Sequence, residues 1–281
     1  MKVEAKLNDG AVIEVEVTGS GPALLLPVDP VPVTGPRADE LRRWGTDPAL
    51  GRSLVDGLAD VCRVVAFPYE AHVLAHPRPQ SLTPESIAAD MLAVADAAGV
   101  ERFTYYGYSW LALCGLQLAI RTGRLDGLAM GGYPPMEGPY DEMLKVTRAT
   151  HELALAPRET PKKDPDPDPD GEIDWSTVEM TLSPDQTQQF VTLYEALQGF
   201  DDRAAQSRLT CPRRLCFAGT ADQVEYEPRW GGVAVDMAGP LRTHREELRA
   251  LGWRVELLDG LDHTTAMQPA TVLPLLRSWL S

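Results

Sequence analysis

Two hydrophobic patterns account for most of the chain. VEAKLN and VIEVEV near the start alternate polar with apolar residues, and Asn8-Asp9-Gly10 between them is a strong hairpin signal. ALLLPV (residues 23–28) and CRVVAF (62–67) are continuous apolar runs, typical of strands buried on both faces. These patterns predict a sheet that begins with an antiparallel hairpin and continues with buried strands.

Helical patterns separate the buried runs. Residues 38–58 form a helical region, and Thr83 begins a helix in which Ile87, Met91, Val94 and Ala97 recur at helical spacing. Further strands are predicted at RFTYYG, LDGLAMGGY, RRLCFAG and WRVELLDG, and further helices at WLALCGLQLAIRTG, 241–251 and 270–280. Such alternation predicts an α/β fold with a mostly parallel sheet and helices on both faces.

One segment interrupts this alternation. Residues 134–209 contain no buried-strand pattern, only two helical stretches at 141–155 and 183–197 with an acidic, Pro-rich spacer between them. An insertion of this kind between two core strands predicts a helical cap. We therefore expect a core of residues 1–133 and 210–281, with 134–209 as the cap.

The spacer KKDPDPDPDGEID resembles the start of a calcium-binding loop. Asp166, Asp168 and Asp170 precede Gly171 at suitable spacing, but Thr177 stands where such a loop needs a bidentate Glu. The interleaved prolines favour an extended chain. We interpret the spacer as a solvated loop and predict no metal.

Composition limits the partners. A formal net charge of −15 argues against nucleic acid and anionic membranes, both of which reward Lys and Arg, and favours neutral or cationic small molecules. The four cysteines lie in apolar stretches without metal-like spacing, which predicts buried free thiols in a reducing compartment. The start MKVEAKLNDG lacks an apolar run typical of a signal peptide, and no window is apolar for long enough to span a membrane. We expect a cytoplasmic protein.

Two Gly-x-Ser sequences are candidates for a nucleophilic serine. GRSL (residues 51–54) lies in a helical region with no apolar strand before it, so we reject it. Gly107-Tyr108-Ser109 instead follows a buried strand and precedes an apolar helix, the context that a nucleophile elbow requires. Leu111, two residues after the serine, stands where such turns usually carry Gly.

Partners for Ser109 follow later in the chain. Asp222 comes after RRLCFAG and His263 after WRVELLDG, so both are expected on loops at the carboxyl edge of the sheet. A serine needs a base to take its proton, and the base needs an acid to hold it. Asp259, Asp262 and Glu225 are alternatives to Asp222.

With these elements the chain resembles the α/β-hydrolase superfamily over nearly its whole length. The resemblance implies an eight-stranded, mostly parallel sheet under a short helical cap. It implies that Ser109 is the nucleophile, His263 the base and Asp222 the residue that orients it. It also implies an oxyanion hole, which we assign to the backbone N–H groups of Trp110 and Val28.

The chain departs from that family at three places. Pro27-Val28 replaces the His-Gly that many members carry after the third strand, and Leu111 replaces Gly in the elbow. The Asp-x-Arg-Gly pattern common after CRVVAF is replaced by PYEAHVLAHP. We interpret His72 and His76 in that segment as exposed loop residues, with a place in the pocket wall as the alternative.

Bulky side chains surround the predicted site. We expect Tyr108, Tyr133, Pro134, Met136 and Tyr140 to bind substrate, which would suit an apolar acyl or ring system. The sequence thus predicts a serine hydrolase that cleaves a small, largely apolar ester, lactone or thioester through an acyl-enzyme, without metal or cofactor. A ligand-binding protein with little turnover is one alternative, and a C–C lyase or acyltransferase that uses the same triad is another. The sequence does not predict the oligomeric state.

Overall fold

A computed structural model describes residues 1–156 and 181–281 of the chain. The described part of the chain contains ten strands: β1 Lys2–Lys6, β2 Val12–Thr18, β3 Ala23–Leu26, β4 Arg63–Ala66, β5 Phe103–Tyr108, β6 Leu125–Gly131, β7 Arg213–Gly219, β8 Gln223–Glu225, β9 Ala234–Asp236 and β10 Trp253–Leu258.

The α-helices of the same residues are α1 Pro36–Arg43, α2 Leu50–Leu58, α3 Tyr69–Ala75, α4 Pro84–Ala97, α5 Trp110–Ala119, α6 Tyr140–Leu155, α7 Pro184–Ala196, α8 Asp202–Ala205, α9 Gly239–Thr243, α10 Arg245–Ala250, α11 His263–Ala266 and α12 Pro269–Leu280.

Eight strands form one sheet, which confirms the predicted architecture. Their order is β1-β2-β4-β3-β5-β6-β7-β10, and the strands from β4 to β10 in that order run parallel. Strands β1 and β2 form the predicted antiparallel hairpin, and β2 pairs antiparallel with β4. The short strands β8 and β9 form a separate antiparallel pair that the sequence pattern did not predict.

Side chains of the central strands alternate between two hydrophobic cores. On β3, Leu25 packs in one core while Leu24 and Leu26 pack in the other. All three are fully buried, and each contributes about 1.5–3 kcal/mol through the removal of its side chain from water. Burial on both faces is the physical reason that these strands are continuous apolar runs. The four cysteines are free and buried, as predicted.

The segment after β4 differs from the prediction. We expected a loop at PYEAHVLAHP, but residues 69–75 form α3, and His72 is only 7% exposed. A buried polar cluster holds this helix: the Arg78 guanidinium and the Tyr69 hydroxyl both donate to Asp90 at 2.7 Å. Asn8 N–H donates to the other oxygen of Asp90, so the cluster also joins the hairpin to α4. These contacts come from distant parts of the chain, which local sequence cannot reveal.

The segment between β6 and β7 contributes α6, α7 and α8, and α6 packs against α7. Side chains of α7 form hydrogen bonds with backbone groups of the segment after β4. Gln189 accepts from Arg78 N–H and donates to the carbonyl of Val73, and Thr192 donates to the carbonyl of Pro79. The Asp-Pro spacer and its calcium-like residues Asp166, Asp168, Asp170, Gly171 and Thr177 lie outside the described residues. Within residues 1–156 and 181–281, no helix has the length and apolar character needed to cross a membrane.

Candidate active site

Ser109 lies at the sharp turn between β5 and α5. Its backbone has φ 56° and ψ −132°, and Glu137 is the only other non-glycine residue with positive φ in the described part of the chain. A non-glycine residue in this conformation is strained, and such strain is the mark of a nucleophile elbow. The turn is fixed by a hydrogen bond of 2.8 Å from Ser109 N–H to the carbonyl of Gly131.

Two glycines allow the elbow to close despite Leu111. A Cβ on Gly107 would lie 2.3 Å from the carbonyl oxygen of Leu111, and one on Gly115 would lie 2.6 Å from the ring of Tyr105. The close approach between strand and helix therefore occurs at positions 107 and 115. The Leu111 side chain is nearly buried at the cavity wall, so a larger residue fits at this position.

His263 and Asp222 form an acid–base pair. Nδ1 of His263 lies 2.9 and 3.0 Å from the two carboxylate oxygens of Asp222, which is 1% exposed. Gly219 at the end of β7 brings their loops together, because a Cβ there would lie 2.0 Å from the carbonyl of Leu261. The alternative Asp262 caps α11 and accepts from Thr265 N–H at 2.7 Å.

The two other candidate acids have different positions. Asp259 accepts from the hydroxyl of Thr220 at 3.5 Å, and Glu225 lies exposed on β8. Of the four carboxylates weighed from the sequence, Asp222 is therefore the one that bonds the His263 ring.

Ser109 and His263 line the same cavity, whose volume is about 450 Å³. Within the described residues the Ser109 hydroxyl forms no hydrogen bond with His263. Catalytic hydrogen bonds are often long in the absence of substrate and shorten in the reactive complex. The arrangement places the candidate nucleophile and the candidate base at the same cavity.

The oxyanion donors differ in part from the sequence prediction. Trp110 is the first residue of α5, so its N–H has no acceptor within the helix and stays a candidate donor. Val28 N–H, however, donates to the carbonyl of Leu26 at 2.8 Å and is not free for an oxyanion. The neighbouring Asp29 N–H has no backbone acceptor in the described part of the chain, and Asp29 lines the cavity. Asp29 replaces Val28 as the candidate for the second donor.

The cavity walls also differ from the prediction. Tyr108 lines the cavity, but Tyr133, Pro134, Met136 and Tyr140 do not and are instead buried. Much of the lining comes from the connection between β3 and β4, including α1 and α2. The apolar residues of the cavity include Pro27, Val28, Val31, Val33, Leu41, Pro48, Leu50, Leu54 and Met267. The sequence signal for this lining was the set of apolar residues in that connection, directly after β3.

Three acidic side chains line the cavity. Its lining includes Asp29, Asp47 and Glu70, and none of the described lining residues is Lys or Arg. Two of these carboxylates have backbone donors, since Asp29 accepts from Val31 N–H and Asp47 from Ala49 N–H. Glu70 accepts from the indole N–H of Trp110 at 2.9 Å.

Metal ligation receives no support from the described side chains. In residues 1–156 and 181–281, no group of three or more His, Cys, Asp or Glu is placed to hold a metal ion. His72 stacks on His76 with ring centroids 4.8 Å apart, and neither of them lines the cavity. Among the remaining histidines, His151 bonds the Thr187 hydroxyl and His244 lies 2.7 Å from Glu137.

Solved structures share this architecture. An esterase from Thermogutta terrifontis is 15% identical, with a TM-score of 0.57 over 100% of this chain and 98% of that one. An enol-lactonase from Burkholderia xenovorans LB400 is 19% identical, with a TM-score of 0.58 over 99% of both chains. A third structure, described as an epoxide hydrolase of the α/β-hydrolase superfamily from metagenomes of hot environments, is 14% identical, with a TM-score of 0.54 over 100% and 98%.

No protein-family model matches the chain, and no curated protein matches it either. The structural matches span the whole sheet and its helices at identities below 20%, so they establish architecture and leave the reaction open. The chain has the α/β-hydrolase fold, as its sequence predicts.

Proposed function

We propose that the protein is a serine hydrolase that acts through an acyl-enzyme. One observation carries this assignment: the strained Ser109 shares a cavity with His263, whose far ring nitrogen is held by Asp222. Strain at a serine that lines a cavity has a chemical purpose where a base and an orienting acid accompany it. The esterase and the enol-lactonase that share the fold are consistent with this class of reaction.

We propose a role for each group. Asp222 accepts a hydrogen bond from Nδ1 of His263, which leaves Nε2 as the base that takes the Ser109 proton. Ser109 attacks the carbonyl, and the N–H groups of Trp110 and Asp29 stabilise the negative charge on its oxygen. His263 then protonates the leaving group. Water activated by the same imidazole releases the acyl group from the enzyme.

The cavity favours a small, uncharged or cationic substrate. Its volume of about 450 Å³ suits a ligand of modest size, and its walls are largely apolar. A substrate with a free carboxylate or phosphate would face Asp29, Asp47 and Glu70 without a compensating Lys or Arg among the described lining residues. We therefore propose apolar esters, lactones or thioesters without an anionic group.

A fluorophosphonate probe tests the assignment, because it reacts only with an activated serine. We expect a single adduct at Ser109, located by mass spectrometry, and its loss in Ser109→Ala and His263→Ala. Ser53→Ala is the matched control, since Ser53 belongs to the other Gly-x-Ser sequence and donates to Asp47 at 3.1 Å. That variant should label like the native protein.

Three outcomes separate the candidate functions. Labelling together with hydrolysis of p-nitrophenyl esters supports the hydrolase. Labelling without hydrolysis of any ester, lactone or thioester would favour a C–C lyase or acyltransferase that uses the same triad. Absence of labelling in a folded protein would contradict the proposal and favour a ligand-binding role.

A further inference from the structure

Tyr108, the middle residue of Gly107-Tyr108-Ser109, contacts the candidate base directly. Its hydroxyl donates to the backbone carbonyl of His263 at 2.8 Å. Its ring lies 5.0 Å from the imidazole of His263, centroid to centroid, at an angle of 58°. The residue beside the candidate nucleophile in sequence thus binds the candidate base, which begins α11, 155 residues later.

The Tyr108 ring has a closely fitted site. A Cβ on Gly131 or on Gly132 would lie 2.6 Å from atoms of this ring, and Gly132 has φ 60°. The ring of Phe217 packs beside it at a centroid distance of 6.1 Å. Two consecutive glycines at the end of β6 therefore make the space that the tyrosine fills, so its ring has little freedom to move.

The hydroxyl of Tyr108 remains a donor. Burial and the negative charge of nearby Asp222 raise the pKa of Tyr108 far above its ordinary value. A neutral hydroxyl has one proton to donate, and the His263 carbonyl receives it.

We propose that Tyr108 is a positioning residue that orients His263 toward Ser109. This inference rests on the proposed function. Asp222 holds the imidazole at Nδ1 only, and a ring held at one atom can still pivot about that contact. Tyr108 adds a hydrogen bond to the backbone carbonyl of His263 and a contact between its ring and the imidazole. Together these two contacts fix the direction of Nε2. An error of about 1 Å in such a position can cost about 100-fold in rate.

Tyr108→Phe tests this role because it keeps the ring and removes only the hydroxyl. Tyr105→Phe is the matched control: Tyr105 lies on the same strand, and its hydroxyl donates to a backbone carbonyl, that of Leu111, at the same 2.8 Å. We expect kcat of Tyr108→Phe on p-nitrophenyl esters to fall about tenfold, with KM within about twofold, since the base is displaced and the cavity is kept. Tyr105→Phe should retain kcat within about twofold of the native value.

A second measurement does not depend on turnover. Exchange of the His263 Nδ1 proton with water, followed by NMR, reports how firmly the imidazole is held against Asp222. We expect exchange about fivefold faster in Tyr108→Phe than in the native protein or in Tyr105→Phe, the factor expected for one hydrogen bond of ordinary strength. Thermal stability should fall at least as much in Tyr105→Phe, because its hydrogen bond is the more deeply buried, so lost stability does not account for a loss of kcat confined to Tyr108→Phe.

Unchanged kcat and unchanged proton exchange in Tyr108→Phe would overturn the inference, as would equal losses in Tyr105→Phe. The proposed function fails separately, through absence of fluorophosphonate labelling at Ser109 in the native protein. In that event the proton-exchange comparison still tests whether Tyr108 holds His263.

Discussion

Helix α2 crosses the loop after β3 at Gly51, the first residue of the Gly-x-Ser sequence that we rejected as a nucleophile. A Cβ at this position would lie 1.9 Å from the carbonyl oxygen of Asp29 and 2.8 Å from its carbonyl carbon. The next residue, Arg52, donates from Nε to the carbonyl of Pro30 at 3.0 Å. Helix α2 therefore holds the backbone that carries the Asp29 N–H, the candidate second oxyanion donor.

Gly51→Ala should displace this donor. Because real Cβ contacts stay above 3.0 Å, the Asp29 backbone or the helix must retreat by at least about 1.1 Å. A shift of about 1 Å, or the loss of one oxyanion donor, costs about 100-fold in kcat. The overpacking should cost about 1–3 kcal/mol of stability, offset by up to about 1 kcal/mol because Ala favours a helix over Gly. We expect a folded protein with kcat lowered about 100-fold and KM nearly unchanged.

Gly57→Ala is the matched control on the same helix. Its Cβ would meet the side-chain end of Leu273 at 2.6 Å, and that side chain can rotate away. Initial rates on p-nitrophenyl butyrate, together with urea unfolding, compare the two variants. Native kcat in folded Gly51→Ala, or an equal loss in Gly57→Ala, would refute the assignment of the Asp29 loop to the oxyanion hole.

Three further changes test other parts of the site. Asp222→Asn should lower kcat about 10⁴-fold, measured on the same esters, because an amide no longer holds His263 in the tautomer that frees Nε2. Leu111→Ala should lower stability by about 2–5 kcal/mol. It should also extend the acyl chain that the protein accepts, measured with an ester series, because the close approach between α5 and β5 depends on Gly107. Arg52→Gln should destabilise the protein by about 1 kcal/mol at pH 7, measured by urea unfolding, because the Arg52 guanidinium bonds Glu16 at 2.8 and 2.9 Å.

The effect of Arg52→Gln should depend on pH. The hydrogen bond from Arg52 lowers the pKa of Glu16 below its ordinary value of 4.5. A lowered folded pKa stabilises the protein above the ordinary value, and this contribution is lost as the pH falls through the folded pKa. The difference between native protein and variant should therefore be complete at pH 7 and shrink below about pH 4.5. A difference that stays constant down to pH 3 would contradict the role of the ion pair.

For Asp222→Asn and Leu111→Ala, one result each would contradict the prediction. Asp222→Asn with native kcat would show that another group orients His263. Leu111→Ala that is stable but inactive on short esters would mean that the isobutyl group itself shapes the elbow. Each variant needs a check of secondary structure, so that loss of activity is separated from loss of fold.

Local patterns in the sequence were sufficient for the architecture and for the order of the candidate triad. Burial on two faces requires continuous apolar runs, and an exposed hairpin requires alternation, so both are visible in short windows. Carboxyl ends of parallel strands meet at one edge of a sheet, so the strand pattern alone groups Ser109, Asp222 and His263. Even Leu111 was identified as unusual from the sequence alone.

Tertiary contacts decided the details of the site. Which N–H is left without a backbone acceptor, that of Val28 or that of Asp29, depends on one turn after β3, and Gly51 packs against the carbonyl of Asp29. The cavity lies against α2 because the connection between β3 and β4 folds over the elbow, while Tyr133 turns into the core. These outcomes depend on packing between residues far apart in the chain, whereas hydrophobic periodicity reports only which residues are buried. The sequence by itself therefore determined the sheet and the candidate catalytic residues at its edge, and the packing of distant segments determined the shape and charge of the space around them.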